Sequence, residues 1–211
     1  MDNNANIKTK DKMKLVTLVS GGIDSTLMSI LAKEQNFELY PLFIDYGQLG
    51  AKLEWEACLY NHDKHKLPSP KKIRLSGYGK LINSGITNKK LRIREDAFLP
   101  GRNTLFLLTA SSYAYQVQSN NIAIGLLTDK YKLFPDQTID FIKSAERFIS
   151  MELNYEITIL TPLMEFNKAE VIILAKSKKI NKTYSCHSGN LKPCGKCISC
   201  LEIKNALTNL K

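Results

Sequence analysis

Two places in the chain gather residue types that can do chemistry. The first is Ser20-Gly21-Gly22-Ile23-Asp24-Ser25-Thr26, directly after the apolar run 14–19. Two adjacent glycines let the backbone approach a ligand without Cβ interference and can take positive φ. An apolar-periodic helix opens at once from Asp24, carrying Leu27, Met28, Ile30 and Leu31 on its buried face. A strand–loop–helix turn of this kind aims several N–H groups, and the positive end of a helix dipole, at one point, which suits phosphate. Ser20, Ser25 and Thr26 add hydroxyl donors. Asp24 is out of place beside a phosphate unless a cation lies between them, so it reads as a Mg²⁺ ligand, directly or through water. A tight turn that binds nothing is the plain alternative, and the Asp-Ser pair following the glycines argues against it. The pattern is neither a Walker loop nor a dinucleotide fingerprint.

The second place is Cys186, Cys194, Cys197 and Cys200, spaced C-x₇-C-x₂-C-x₂-C. Four soft thiolates suit tetrahedral Zn²⁺, and Gly195 permits the tight turn that brings two sulfurs onto one ion. A closed four-thiolate site leaves no open position for water, so its role is structural. An iron–sulfur cluster is the other centre this ligand set could hold. A disulfide framework is not expected in one corner of an α/β chain. Cys58, alone on an amphipathic helix, reads as a small buried hydrophobe.

The elements that must position these residues alternate. Apolar strands are expected at 14–19, 38–44, 72–75, 122–125 and 157–160. Helices are expected from Asp24, over 51–65 and 104–118, from Phe134-Pro135-Asp136 to about 151, and over 167–179 with Asn167 as N-cap. Strands alternating with helices imply an α/β fold with a five-stranded parallel sheet covered on both faces. Ligands in such sheets bind at the carboxyl ends of the strands. Segment 76–99 has few periodic apolar positions and much charge, and reads as a long functional or mobile loop.

The chain has 211 residues, enough for one domain with a small appendage. No apolar run approaches the ~18 residues that a membrane helix needs, and the N-terminus is polar, so a cytoplasmic protein is expected. Lys and Arg number 30 against 20 Asp and Glu, a formal charge of +10. That excess fits an anionic ligand such as ATP, a nucleic acid, or a solvated basic surface.

The glycine loop resembles that of the PP-loop, N-type ATP pyrophosphatases, which cleave ATP between the α and β phosphates. Ser20–Thr26, Asp45-Tyr46-Gly47-Gln48, Pro100-Gly101-Arg102-Asn103, Pro135-Asp136, Thr161-Pro162-Leu163, Lys168-Ala169-Glu170 and the four cysteines occur in the order seen in the 7-cyano-7-deazaguanine synthase family. The resemblance implies an adenine-nucleotide α-hydrolase-like three-layer sandwich with a small zinc-binding C-terminal element. It divides the chain into a disordered tail (1–13), an ATP pyrophosphatase domain (14–180) and the zinc-binding end (181–211). It implies ATP, Mg²⁺ and Zn²⁺, and a reaction in which a 7-deazaguanine acid is adenylated and passed to nitrogen, giving an amide and then a nitrile. Departures cluster away from the loop. Leu49 and Gly50 stand where the family usually has Arg-His, Gln137 and Thr138 where it has Cys-Arg, and Ile203 where it tends to have Arg.

By that resemblance Ser20, Gly21, Gly22, Ile23, Asp24, Ser25 and Thr26 hold the phosphates and metal, and Phe43 and Ile44 flank adenine. Tyr46, Gln48, Arg102, Asn103 and Asp136 face the acid. Arg102 is a candidate to neutralise charge on the α-phosphate, a role worth ~3–4 kcal/mol. A plain surface arginine is a weaker reading there, because a helix N-terminus disfavours cations. Asp136 either reads a guanine-like edge or caps the helix that follows. Lys130 and Lys168 could reach phosphates, though isolated lysines are usually solvated. His62, His65 and His187 have no partner pattern and read as surface or supporting groups. The nitrogen comes from ammonia or another amine, one on a protein included, and a homodimer is expected. A nucleic-acid partner is not expected, although a basic RNA-modifying module is the reading of a different class, since related pyrophosphatases act on tRNA.

Overall fold

The computed structural model describes residues 12–128, 130 and 133–208. Most of the expected N-terminal tail, 1–11, therefore lies outside the described residues. The elements run β1 (Lys14–Val19), α1 (Ile23–Glu34), β2 (Glu38–Asp45), α2 (Ala51–Lys64), β3 (Lys71–Arg74), α3 (Ser76–Leu81), α4 (Arg102–Gln116), β4 (Asn121–Ala123), α5 (Ile139–Leu153), β5 (Thr158–Leu160), α6 (Lys168–Ser177) and α7 (Ile198–Thr208). The five strands form one parallel sheet in the order β3-β2-β1-β4-β5.

The order follows from β1, which is buried from Leu15 onward. Successive side chains of a strand point to opposite faces. Leu15 joins Leu27, Met28, Leu39, Leu163 and Val171 in one core, while Val16 and Leu18 join Leu42, Ile44, Leu107, Ala110 and Ile122 in another. A run apolar at both parities can satisfy both faces only at the centre of a covered sheet. Helices α1 and α6 pack together over the first face, and α4 and α5 over the second. Helix α2 closes the far end of the first face, where Cys58 and Trp55 meet Val19 and Phe43. Cys58 is 1% exposed, the small buried hydrophobe expected.

Segment 76–99 departs from the expected loop. It begins with α3, and Ile86, Ala97 and Leu99 sink into the second core. Ser84 holds the return, its hydroxyl donating to the carbonyls of Asp96 and Ala97 (both 3.0 Å). These anchors are isolated along the chain, so they leave no periodic trace. The helix expected from Phe134 also starts later. Pro135–Gln137 is a single 3-10 turn, Thr138 is extended, and α5 opens after it with the Thr138 hydroxyl accepting from Phe141 N–H (3.1 Å). Helix α7, which the sequence did not suggest, follows the last cysteines and packs on α6.

Candidate active site

The glycine loop turns at the carboxyl end of β1. Gly21 has φ +77°, and a Cβ there would lie 2.1 Å from the carbonyl oxygen of Glu54. Only glycine serves at that position. Gly22 is extended and precedes α1. The loop is braced by its own hydroxyls. Ser20 N–H donates to Ser25 Oγ (3.1 Å), Gly22 N–H donates to Ser20 Oγ (3.3 Å), and Thr26 Oγ1 donates to the Gly22 carbonyl (2.8 Å).

A cavity of about 300 Å³ opens over this loop and is lined by Ser20, Gly22, Asp24 and Ser25. The other three loop residues are not in its wall. Thr26 is 2% exposed with its hydroxyl already used, so it does not supply the phosphate donor expected of it. Ile23 packs into the α1 core, and Gly21 shapes the turn from behind.

The end of β2 and the starts of α2 and α4 make the walls. Phe43, Ile44, Tyr46, Gln48, Glu54, Arg102 and Asn103 all line the cavity. Gln48 is an internal strut as well: its Oε1 accepts from Tyr46 N–H (3.0 Å) and its Nε2 donates to Glu54 Oε2 (2.8 Å). Withdrawal from water pushes the Glu54 carboxyl up to about 7, against the opposing pull of Gln48 and Arg102. Burial likewise takes Tyr46 to about 12. Arg102 lies over the Phe106 ring, 6.0 Å from its centre, and hydrogen-bonds Tyr46, while its buried Nε has no partner among the described residues. His187 Nδ1 is also buried without one, and burial followed by the charge of Arg102 brings this histidine down to about 4. Buried polar atoms left open in a cavity wall are what a polar ligand satisfies.

Asp136 does not cap α5; Thr138 does. The Asp136 side chain is not among those lining the cavity, and its buried Oδ1 has no partner among the described residues. What Asp136 gives the site is its backbone carbonyl, which accepts from Asn103 Nδ2 (2.9 Å) and ties the start of α4 to the 3-10 turn. Gln137 does line the cavity, and its Oε1 accepts from the N–H groups of Leu133 and Phe134. The departures at 137 and 138 thus serve as a turn brace and a helix cap.

Lys168, a candidate to reach a phosphate, stands in the cavity wall at the centre of an ion cluster rather than in solvent. Its side chain is 9% exposed. Its Nζ donates to both oxygens of Asp24 (2.9 and 2.7 Å) and lies 3.2 Å from Glu202 Oε2. Burial opposes the ammonium charge, but the two carboxylates outweigh it and raise the Lys168 pKa. The expected cation ligand Asp24 is therefore held by a side-chain cation. The cluster links α1, α6 and α7 at one wall of the cavity.

The sulfurs of Cys186, Cys194, Cys197 and Cys200 lie within 4.8 Å of one another. Cys194 N–H donates to Cys186 Sγ and Cys197 N–H to Cys194 Sγ, both at 3.3 Å. Gly195 takes φ +70° in the turn between them. Four converging thiols with backbone donors aimed at sulfur fit a tetrahedral thiophilic ion. The cluster is joined to the glycine loop, because Tyr184 N–H donates to the Gly21 carbonyl (3.0 Å). Ser185 and His187, on either side of Cys186, stand in the cavity wall. His62, by contrast, is 2% exposed and holds the Pro68 carbonyl through Nδ1 (2.7 Å), away from the site.

A family model described as "Queuosine biosynthesis protein QueC" matches residues 14–211. The chain belongs to the QueC family. Among curated QueC relatives, a 7-cyano-7-deazaguanine synthase of Prochlorococcus marinus (strain MIT 9301) is 34% identical over 218 residues, covering 95% of this chain and 94% of its own. That of Oceanobacillus iheyensis is 31% identical, covering 89% and 90%. Two solved structures share the fold. NMN synthetase from Francisella tularensis matches with TM-score 0.57 at 14% identity, over 92% of this chain and 76% of its own. The U34-tRNA thiolase NcsA from Methanococcus maripaludis matches with TM-score 0.54 at 17% identity, over 95% and 67%.

Proposed function

We propose that this chain joins AMP to the carboxylate of 7-carboxy-7-deazaguanine, or of a close analogue, and passes the acyl group to nitrogen. The observation that carries this reading is the cavity itself. In a chain of the QueC family, the glycine loop, an apolar slot at Phe43 and Ile44, and the Arg102 guanidinium, its buried Nε unsatisfied, all face one space.

The loop N–H groups and the N-terminus of α1 favour phosphate oxygens. Phe43 and Ile44 offer the adenine an apolar face. The ionised acid attacks the α-phosphorus and pyrophosphate leaves. Arg102, with its Nε donor open, stands to stabilise charge developing there. Ammonia then attacks the acyl carbon and AMP departs, leaving an amide; a second ATP adenylates the amide oxygen with release of pyrophosphate, and that oxygen leaves on AMP as the nitrogen gives up its two protons, forming the nitrile. Magnesium would supply charge neutralisation at the phosphates, and Asp24, on exchanging its contact with Lys168, would hold it. The four cysteines would hold Zn²⁺, which supplies a structural cross-link.

A second reading keeps the adenylate and changes the acceptor to another amine, one on a protein included. It draws on a departure at the site, since Gln137 lines the cavity. One experiment separates the readings. The protein is given ATP, magnesium, the deazaguanine acid and ammonia, and AMP, pyrophosphate and product mass are followed. Amide and nitrile support the synthase; AMP formed only with a larger amine supports the ligase. Absence of acid-dependent pyrophosphate release would remove both. Arg102→Ala is expected to lower turnover about 10²-fold or more, with little change in ATP affinity.

A further inference from the structure

Among the described residues, three carboxylates line the cavity: Asp24, Glu54 and Glu202. Lys168 holds Asp24 and Glu202. Glu54 is held differently. Its Oε2 accepts from Gln48 Nε2, whereas its Oε1 faces Gly50, where an added Cβ would come within 2.9 Å of it. The charged and titratable groups facing Glu54 come from three directions: Asp45 and Tyr46 at the end of β2, Arg102 at the start of α4, and Tyr184 ahead of the cysteine cluster.

The two halves of the proposed reaction place different demands on such a group. Adenylation moves no proton, because an ionised acid attacks and pyrophosphate departs. Nitrogen transfer does. As the nitrogen lone pair forms the C–N bond, an N–H proton must go somewhere while the C–O bond to AMP breaks and its electron pair leaves on the phosphate oxygen. Amines are also largely protonated near neutrality, so an anionic oxygen in a partly dry site both attracts the ammonium form and accepts its proton.

We propose that Glu54, the described carboxylate of the cavity wall that Lys168 does not hold, is the base that takes the proton from the nitrogen nucleophile. This assignment rests on the adenylate reading above. A carboxyl that titrates near 7 suits the task, since it is half ionised at neutral pH and strong enough as a base to compete for the proton.

The test uses the whole chain and Glu54→Gln, which keeps a carbonyl oxygen for Gln48 and removes only the base. Two half-reactions are measured across pH: acid-dependent exchange of labelled pyrophosphate into ATP, and amide formed from ammonia. In the variant, exchange is expected to persist while amide formation falls by about 10²–10⁴-fold. The acid limb near pH 7 in wild-type amide formation is expected to vanish. If the wild type itself shows no exchange, the adenylate reading fails and this assignment goes with it. If the wild type exchanges but Glu54→Gln loses both halves alike, or keeps the acid limb, the adenylate stands and Glu54 is not the base.

Discussion

A methyl group at position 21 would have nowhere to go. The Glu54 carbonyl and Cys58 amide are backbone atoms of α2, 2.1 and 2.8 Å from where the Cβ would sit, and φ is +77°. Gly21→Ala is therefore expected to cost about 2 kcal/mol or more in urea unfolding, beyond any effect on ATP. The loop could be read from sequence because its chemistry is local: glycines, hydroxyls and a carboxylate lie within seven residues of one another. Glu54, His187 and Glu202 could not be read that way. Their arrival at the cavity depends on where α2, the cysteine segment and α7 pack, and no short spacing announces it. Two consequences are measurable. The Glu54 pKa in the folded protein, about 7, stands above its unfolded value of about 4.3. The folded state thus binds this proton more tightly, and stability falls as pH rises from roughly 4.3 to 7, then levels. Melting temperatures of the wild type and Glu54→Gln should diverge across that window and run parallel above it. Lys168→Met leaves Asp24 and Glu202 facing each other without a cation. With those carboxylates 28% and 44% exposed, a loss of about 1–3 kcal/mol is expected in urea unfolding.

Helices and strands were legible wherever burial is continuous or a cap is local. Strand β1 is apolar at both parities, which only the centre of a covered sheet explains. Helix α6 opens with a reciprocal box: Asn167 Oδ1 accepts from Ala169 and Glu170 N–H, and Glu170 Oε2 accepts from Asn167 N–H (2.8 Å). Asn167→Ala should cost about 1 kcal/mol by the same unfolding measurement. The start of α5 misled because Pro135 sits as a proline does at the first position of a helix, yet the extended Thr138 interrupts the turn. Segment 76–99 misled for the opposite reason, since its buried residues are too far apart to show a period. The C-terminal element is expected to depend on its metal. Elemental analysis should find zinc in the wild type and lose it in Cys194→Ser, with the C-terminal segment becoming sensitive to protease. Full protection in a metal-free protein would show that the cysteines do not staple this end.

At the scale of the molecule, the formal charge of +10 brings anions to the cleft and keeps copies apart. The homodimer expected from the sequence has to overcome that repulsion with apolar surface. The outer faces of α4 and α5 expose Leu108 and Tyr115, and Phe148 and Met151, at 38, 54, 55 and 72%. Large apolar side chains this exposed on neighbouring helices are what an interface would cover. Sedimentation is expected to give twice the chain mass, and Tyr115→Lys with Met151→Lys to halve it; a wild type that sediments as a single chain would remove the dimer. No described helix is long and apolar enough to cross a membrane.

The backbone from Tyr184 to His187 serves two structures at once, gripping Gly21 at one end and carrying a thiol of the cysteine cluster in its middle. A peroxide that coupled two of those sulfurs would therefore slacken the cavity over the glycine loop from a few residues away. Under mild oxidation, catalysis should fail while the far-ultraviolet ellipticity still looks native, and a thiol reductant with fresh zinc should bring it back.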